Sequence, residues 1–322
     1  MAALRLSLPL LICCLALTPL PLEAQRRLRV MEWNVENLFD TQHDTLKNDY
    51  EFLPEGVRQW TPVRYWRKQR DVARVIMAVG GDRPPDLVAL CEVENDRCLS
   101  DLTRRSPLRS LRYRYVMTDS PDLRGIDVAL LYQPESFRLI DYEAKRVPSL
   151  EAGLNPTRDI LHAWGLTTGG DTLHVVVCHF PSRTQGRKGD KNRLLAARTL
   201  RLLLDSLGGE RKLLVLGDFN AAPRDRVFRE LGGVVTDLAP RARRPAEGTY
   251  RFRGLWSWID HILVSESLLG KVSSELRLYT APWLQDWYPK SGWYPRRTYK
   301  GLYYSGGASD HVPIYCDILF GQ

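Results

Sequence analysis

The chain has 322 residues, of which 44% are hydrophobic and 26% are charged, and its formal net charge is +8. This composition is that of an ordinary globular protein and excludes disordered, collagen-like and low-complexity classes. The positive charge suits polyanions or anionic surfaces as partners, although charge alone does not define an activity.

The first segment, residues 1–24, has the character of a secretory signal peptide. Arg5 precedes the apolar stretch Leu6–Leu20, and the small residue Ala24 comes before Gln25 at the expected cleavage point. Prolines within and just after the apolar stretch argue against a permanent membrane helix. We therefore expect a secreted or periplasmic protein whose remainder, residues 25–322, forms one domain.

The cysteines leave two alternatives open. Cys13 follows Ile12, where a small residue normally precedes a lipidated cysteine, so lipid anchoring is the minor alternative to secretion. Four cysteines lie after the signal segment: Cys91, Cys98, Cys178 and Cys316. A Cys91–Cys98 bridge is compatible with an oxidising compartment, but spacing alone does not establish it.

Apolar patterns predict short strands and a few helices along the rest of the chain. The predicted strands are Leu28–Trp33, Asp86–Cys91, Tyr113–Thr118, Ile126–Tyr132, Leu161–Leu166, Leu173–His179, Leu213–Leu216, Trp258–Val264 and Val312–Leu319. The predicted helices are Arg64–Val79, Asp190–Leu207 and Arg226–Leu231. Many strands without strict strand–helix alternation favour two packed sheets with helices outside.

The tetrapeptide from Gly217 to Asn220 follows the apolar strand Leu213–Leu216 directly. If the backbone stays extended, Asp218 and Asn220 point to the same face, because side chains alternate along a strand. A carboxylate beside a carboxamide suits hydrolysis, since one can orient water and the other can hold a phosphoryl oxygen. The alternative is an Asx turn before the next helix, because both residue types favour turns.

Polar clusters stand at the ends of six predicted strands. They are Asn34 to Glu36, Glu92, His179, Asp218 with Asn220, Asp260 with His261, and Asp310 with His311. Buried charged groups are costly without a partner such as a metal ion, so a shared site explains the set better than six separate solvated ends do.

This ordered set resembles the endonuclease/exonuclease/phosphatase superfamily of metal-dependent, deoxyribonuclease-like phosphodiesterases. The matching stretches are Trp33–Glu36, Leu90–Glu92, Asp127–Tyr132, His179–Arg183, Gly217–Asn220, Ile259–Leu263 and Ser309–Pro313. The resemblance implies a four-layer α/β/β/α sandwich of two packed mixed sheets with helices outside, and a site at one edge of the sheets.

The resemblance also implies roles for individual residues. The implied metal-binding residues are Asn34, Glu36, Glu92 and Asp310, with Mg²⁺ as the ion and Mn²⁺ or Ca²⁺ as alternatives. The implied catalytic residues are His179, Asp218, Asn220, Asp260 and His311. Strand geometry makes Asp310 a poor partner for its neighbour His311, and Asp260 is the candidate partner, as in the family. Whether His311 or Asp218 accepts the proton of water stays open.

Basic residues supply candidate substrate contacts. Arg158 and Arg183 could recognise phosphate, and the alternative for each is an exposed surface ion pair. The segment Ala281–Gly307 carries Arg296, Arg297 and Lys300 among many tryptophans and tyrosines. Such a mixture can stack bases and hold phosphates, or it can be an aromatic loop packed on the scaffold.

The leading interpretation is a secreted, divalent-metal-dependent phosphodiesterase that cleaves DNA or RNA as an endonuclease. The alternatives are a sphingomyelinase-like or inositol-phosphatase-like phosphoesterase on a lipid or small molecule, and a non-catalytic polyanion-binding protein. We expect a monomer without an obligate protein partner. The intact set of strand-end residues argues against the non-catalytic interpretation, because binding alone would not require all of them.

Overall fold

The computed structural model describes residues 26–148, 156–183, 186–208, 210–239 and 247–320. The predicted signal peptide and its cleavage point lie outside these residues. None of the helices within the described ranges combines the length and the apolar composition that a membrane span requires.

The strands and helices follow one another in a mixed order along the chain. The strands are β1 (Arg26–Leu38), β2 (Leu87–Val93), β3 (Arg114–Met117), β4 (Asp127–Tyr132), β5 (Phe137–Lys145), β6 (Ile160–Thr167), β7 (Thr172–His179), β8 (Lys212–Asp218), β9 (Thr236–Asp237), β10 (Tyr250–Phe252), β11 (Leu255–Ser257), β12 (Asp260–Val264), β13 (Arg277–Leu278), β14 (Gln285–Tyr288), β15 (Gly292–Pro295), β16 (Tyr299–Lys300), β17 (Tyr303–Tyr304) and β18 (Ile314–Phe320). The helices are α1 (Pro62–Gly80), α2 (Asp96–Arg104), α3 (Gly186–Leu207), α4 (Arg226–Leu231) and α5 (Glu266–Leu269), with 3₁₀ turns at Tyr50–Phe52, Pro107–Leu111 and Pro282–Leu284.

Two six-stranded sheets contain most of these strands. The first has the order β13-β18-β1-β2-β4-β3, and the second has the order β5-β6-β7-β8-β12-β9. In each sheet one central pair is parallel, β1 with β2 and β7 with β8, while the other neighbours are antiparallel. Three hairpins, β10–β11, β14–β15 and β16–β17, stand outside the two sheets.

The sheets pack face to face, and helices cover their outer faces. Alternate residues of each strand form the layers, because successive side chains point to opposite faces. In β1, Val30 belongs to the core between the sheets, whereas Met31 belongs to the core beneath α1 and α2. Val176 of β7 packs with Leu200 and Leu204 of α3 in a third core. The predicted four-layer α/β/β/α sandwich is confirmed.

Local signals explain how α1 and α2 begin. Pro62 is compatible with the start of α1, because a backbone amide at the first position of a helix would have no hydrogen-bond acceptor within the helix. Asn95 caps α2 by accepting a hydrogen bond at its side-chain oxygen from the Cys98 amide, 3.0 Å away. Both helices bury one apolar stripe on the first sheet, including Val72, Ile76 and Leu99.

The structure answers one question that the sequence left open and adds one strand that was not predicted. Cys91 and Cys98 are buried free thiols without a bridge between them, as are Cys178 and Cys316. Strand β5 was not predicted, because it lies at a sheet edge and most of its residues after Phe137 are exposed, which leaves no apolar alternation to detect.

Candidate active site

The polar residues meet where the parallel strands of both sheets end. β12 runs antiparallel to β8 and opens with Asp260 opposite Asp218, which also pairs with His179 at the end of β7. Asn34, on β1 of the first sheet, donates from Nδ2 to Asp218 Oδ2 over 3.1 Å. The site therefore spans both sheets at one edge of the sandwich, as predicted for a ligand at the carboxyl ends of parallel strands.

Unusual backbone conformations are concentrated at this edge. Glu36, Asn37, Glu92 and Asn220 have φ angles of 51°, 57°, 66° and 48°. Left-handed backbone costs a non-glycine residue about 1–2 kcal/mol, and such conformations persist mostly where the surrounding structure imposes them, often at functional sites.

Gly217 is required because β7 and β8 approach closely in front of the site. A Cβ atom at this position would lie 1.9 Å from the carbonyl oxygen of Cys178, and the glycine φ angle is +152°. Only a residue without a side chain permits this approach, which sets Asp218 directly beside His179.

Asp218 is the last residue of β8, and its carboxylate accepts a hydrogen bond in the turn that follows. The amide of Asn220 donates to Asp218 Oδ1 over 2.8 Å. The predicted same-face alignment of the two side chains is therefore wrong, and the Asx turn describes the local backbone. The Asn220 side chain donates instead to the carbonyl of Phe180, 3.0 Å away. Burial, reinforced by the charge of Asp260, raises the pKa of Asp218 to about 7.

His311 and Asp260 form a buried pair. Nδ1 of His311 lies 2.8 Å from one carboxylate oxygen of Asp260 and 3.0 Å from the other, so the predicted contact is present. The Asp260 amide donates to Thr249 Oγ1 over 3.2 Å. Burial alone would lower the pKa of His311, but the carboxylates of Asp260, Asp310 and Asp218 raise it well above its ordinary value. These carboxylates therefore favour the imidazolium form of His311.

His179 has the opposite charge state. Its Nε2 lies 3.6 Å from Asp218 Oδ2 and 3.9 Å from Glu92 Oε1, while its Nδ1 is buried without a hydrogen-bond partner among the described residues. Burial, followed by the positive charges of Arg158 and Arg124, holds the pKa of His179 well below its ordinary value. A neutral imidazole and an imidazolium therefore stand on either side of Asp218.

Three of the four residues predicted to bind metal, all but Asn34, line one cleft of about 320 Å³. Its walls include Glu36, Glu92, Asp310 and His311. The Asn37 amide donates to Glu92 Oε2 over 2.9 Å, and the Glu36 amide donates to the Asn34 side-chain oxygen over 2.9 Å. Backbone amides thus hold both Glu92 and Asn34 in place.

Glu36 and Asp310 are braced by cations. Lys68 is buried on α1 and donates from Nζ to the Glu36 carbonyl over 2.8 Å and to Thr298 Oγ1 over 2.5 Å. Arg297 lies 3.0 Å from the Asp310 carboxylate. Burial and the charge of Asp310 raise the pKa of Glu36 to about 7, and burial lowers the pKa of Lys68 to about 8.

The donor atoms fit a hard divalent cation. Asp218, Asp260 and His311 form a buried group that could hold a metal ion, with one ligand atom from each lying within 4.8 Å of the others. Because His311 Nδ1 already bonds Asp260, the side-chain oxygens of Asn34, Glu36, Glu92 and Asp310 are the more suitable ligands. Burial favours the neutral form of carboxyl groups such as Glu36 and Asp218, and a bound cation would favour the ionised form instead.

The two arginines predicted near the phosphate have internal partners. Arg158 is buried and donates to the Phe180 carbonyl over 2.8 Å and to Asp122 over 3.3 Å, while its Nε has no partner among the described residues. Arg183 is exposed, donates to the Asn220 carbonyl over 2.8 Å, and forms the surface ion pair of the alternative interpretation with Asp225, 3.4 Å away. Both therefore brace the loops beside His179 and Asp218, and their contact with substrate stays a prediction.

The segment Ala281–Gly307 contains both residues packed on the scaffold and exposed aromatic residues that are available to a substrate. Arg296 and Lys300 lie 3.7 and 2.8 Å from the Asp286 carboxylate, so neither charge is free. Tyr299 is buried as scaffold, whereas Trp287, Trp293 and Tyr303 are exposed. The segment forms two hairpins and not one open loop.

Sequence reasoning missed Lys68, Tyr250 and Arg251. Lys68 stands on the apolar side of α1, and a lysine within an apolar helix stripe was its only signal. Tyr250 packs its ring 5.0 Å from the His311 ring, and Arg251 follows it on β10. Their short strand lacks the alternation that marks a sheet strand, so nothing in the sequence linked them to His311.

Solved structures with the same fold align with this chain at low sequence identity. An endonuclease/exonuclease/phosphatase family protein from Bacteroides thetaiotaomicron aligns with a TM-score of 0.60 and 17% identity over 92% of this chain and 99% of its own. The B. thetaiotaomicron mannosyl-6-phosphatase aligns with a TM-score of 0.58 and 18% identity over 90% of this chain and 98% of its own. D. rerio TDP2 complexed with a single-strand DNA product aligns with a TM-score of 0.56 and 15% identity over 90% of this chain and 98% of its own.

No curated protein matches the chain at a significant level of sequence similarity. A family model described as endonuclease/exonuclease/phosphatase matches residues 29–319, which include every strand-end residue of the site. The chain therefore belongs to the endonuclease/exonuclease/phosphatase family.

Proposed function

We propose that this protein is a divalent-metal-dependent phosphodiesterase that cleaves nucleic acid, DNA or RNA, as an endonuclease. Its family consists of hydrolases that act on phosphoester bonds. The observation that carries the proposal is the position of Asp218 between a charged and a neutral imidazole, beside a cleft with carboxylate walls.

Asp218 is the group that accepts the proton of the attacking water in this proposal. A pKa of about 7 lets it ionise near neutral pH, which suits a general base. His311 already carries its proton, so it cannot take another. Its Nε2, 3.9 Å from Asp218 Oδ2, is available to donate to a phosphoryl oxygen and to stabilise the charge of the transition state. Asp260 fixes its orientation through Nδ1.

His179 and Asn220 position the reacting group. His179 Nε2 is within 3.6 Å of Asp218 Oδ2, so a phosphoryl oxygen near Asp218 is within its reach. Asn34, Glu36, Glu92 and Asp310 would hold the divalent cation, with Mg²⁺ as the first candidate and Mn²⁺ or Ca²⁺ as alternatives. When bound, that ion supplies positive charge that neutralises the phosphoryl group and the leaving oxygen.

Nucleic acid is the proposed substrate for two reasons. The chain is basic, with a net charge of +8, and exposed aromatic rings lie in the hairpins that lead to Asp310. A neighbour of the same fold, TDP2, holds a single-strand DNA product. The second candidate is a phosphoesterase on a small molecule, which the mannosyl-6-phosphatase neighbour favours. The signal-like N-terminus supports export from the cytoplasm as part of the proposal.

The test is an assay of residues 25–322 with Mg²⁺ on plasmid DNA, RNA, bis(p-nitrophenyl) phosphate, mannose 6-phosphate and sphingomyelin. We expect hydrolysis of nucleic acid and of the small diester, and loss of both with a chelator. Glu92→Gln should lower kcat at least about 100-fold by removing a charge from the metal site. The matched control is Glu135→Gln, because Glu135 is exposed on the turn between β4 and β5. Full activity in chelator contradicts the proposal, and hydrolysis of mannose 6-phosphate alone supports the second candidate.

A further inference from the structure

A second cleft, of about 340 Å³, lies beside the catalytic cleft. Arg297 lines both of them. The other cationic and aromatic residues in its walls are Arg251, Phe252, Arg253, Tyr288, Tyr294 and Lys300. A volume of this size accepts one group as large as a nucleotide, and the walls mix cations with aromatic rings.

The hairpin β10–β11 fixes one wall of this second cleft to the catalytic histidine. At its base, the Tyr250 ring lies 5.0 Å from the His311 ring. At its tip, Arg253 and Gly254 form a two-residue turn with φ angles of 49° and 86°, as the tight hairpin turns of right-twisted strands require. Three residues of extended strand cover about 10 Å, so a ligand must extend about that far beyond the reacting phosphate to reach the tip.

Arg297 and Lys300 in the walls of the second cleft are paired with Asp310 and Asp286, but Arg251 and Arg253 have no carboxylate partner among the described residues. Arg251 donates to the Gly254 carbonyl over 3.0 Å and to the Trp293 carbonyl, and its guanidinium lies 4.3 Å from the centre of the Tyr294 ring. These partners are neutral, and the ion pairs found among the described residues include neither Arg251 nor Arg253. An anion in the cleft would therefore meet two uncompensated guanidinium groups.

Aromatic rings border the same space. Phe252 is 56% exposed, although burying a phenylalanine side chain would be favourable, and the Arg253 guanidinium lies 5.2 Å from the centre of its ring. Tyr288 is held at the opposite wall by a hydrogen bond from Lys300. An exposed ring beside a cation offers a flat surface to a base and charge to a phosphate.

We propose that the second cleft binds the nucleotide adjacent to the scissile phosphate, with its base stacked on Phe252 and its phosphate on Arg251 and Arg253. The inference rests on the proposed nuclease function and extends it, since it gives the enzyme a preference for chains over isolated phosphodiesters. The hairpin residues that carry it fall outside the seven short motifs on which the resemblance was based, although they lie within the residues 29–319 that the family model matches.

Two matched substrates test the proposal. The small diester bis(p-nitrophenyl) phosphate is too short to span both clefts, whereas a hexanucleotide reaches both. Phe252→Ser and Arg253→Gln should each lower the ratio of kcat/KM for the hexanucleotide to that for the small diester about tenfold, because the first removes the ring on which the base stacks and the second removes a charge that contacts the phosphate. The control is Arg138→Gln, which removes the same charge from an exposed position on β5.

Binding measurements on the Glu92→Gln protein distinguish the contribution of the base to affinity from that of the phosphate. We expect a labelled hexanucleotide to bind more tightly than one that lacks a single base next to the central phosphate, and Phe252→Ser should abolish the difference. Arg253→Gln should weaken both and flatten the salt dependence of the dissociation constant.

The outcomes distinguish the two proposals. If neither the small diester nor the hexanucleotide is hydrolysed, the proposed function fails. If both are hydrolysed and the two hairpin variants keep the parental ratio, the nuclease stands and the second site is refuted. Equal affinity for the complete and the base-free hexanucleotide also refutes base binding in the cleft.

Discussion

The carboxyl group of Asp218 offers the most direct test of the electrostatics of the site. Asp218→Asn keeps the size of the side chain and its Oδ1 acceptor, which the Asn220 amide uses over 2.8 Å. It removes the negative charge that lies buried beside Asp260. We therefore expect the substitution to abolish hydrolysis and, in the metal-free protein, to change how stability depends on pH.

The size of the effect follows from the pKa. Burial and Asp260 raise the pKa of Asp218 from 3.8 to about 7 in the folded protein. Between these values the folded state binds more protons than the unfolded state, so the free energy of unfolding falls as pH rises. A difference of that size corresponds to on the order of 4 kcal/mol, lost by pH 8.

Urea denaturation in chelator at pH 5 and pH 8 measures this effect. The parent should lose a few kcal/mol of stability between the two values, and Asp218→Asn should lose less, because only the parent must ionise this buried carboxyl. Buried carboxyl groups whose pKa does not depend on Asp218, such as Glu36, contribute equally to both proteins and cancel in the difference between them. Loss of the hydrogen bond from Asn34 lowers the stability of the variant by about 1 kcal/mol at both values.

One result would refute this reasoning. If parent and variant lose the same stability between pH 5 and pH 8, the carboxyl group of Asp218 ionises as easily in the folded protein as in the unfolded chain. It would then be neither a base tuned to neutral pH nor a group that a cation recharges, and the assignment of its role would fall.

The remaining predictions concern pairing, packing and thiols. Asp260→Asn and His311→Ala should each lower kcat, and their double variant should be no worse than the more damaging single one, whereas additive losses would show that they act separately. Gly217→Ala should cost about 3 kcal/mol or more in urea denaturation, because its Cβ would lie 1.9 Å from a carbonyl oxygen, while Gly170→Ala, with φ +81° and open space, should cost about 1 kcal/mol. The four cysteines after residue 26 should all react with a thiol reagent in denaturant without prior reduction, and fewer than four would indicate a bridge.

The sequence predicted the layers of the fold because its central strands are buried on both faces. Runs such as Leu213–Leu216 are apolar throughout, and this pattern distinguishes a central strand without any structural information. Edge strand β5 and the hairpins lack that pattern, because solvent covers much of their surface. Their positions depend on contacts with distant residues.

The candidate site was predictable in its residues but not in its local geometry. Asp218 and His179 follow apolar strands, so their convergence could be expected. The positive φ of Asn220 could not, because the left-handed conformation is imposed by the surrounding loops. The partners of Arg297 and Lys300, which are Asp310 and Asp286, were equally hidden, since an ion pair between neighbouring loops has no signature in sequence.

The pairing of β1 with β18 has a consequence for the order of events during synthesis. Arg26 lies opposite Phe320, so the last described strand completes the sheet that the first one opens. His311 immediately precedes β18, while Asp218 and Asp260 come earlier in the chain. A growing polypeptide therefore lacks this histidine until the strands that carry Asp218 and Asp260 have both been made, so the site is completed only when β18 pairs with β1.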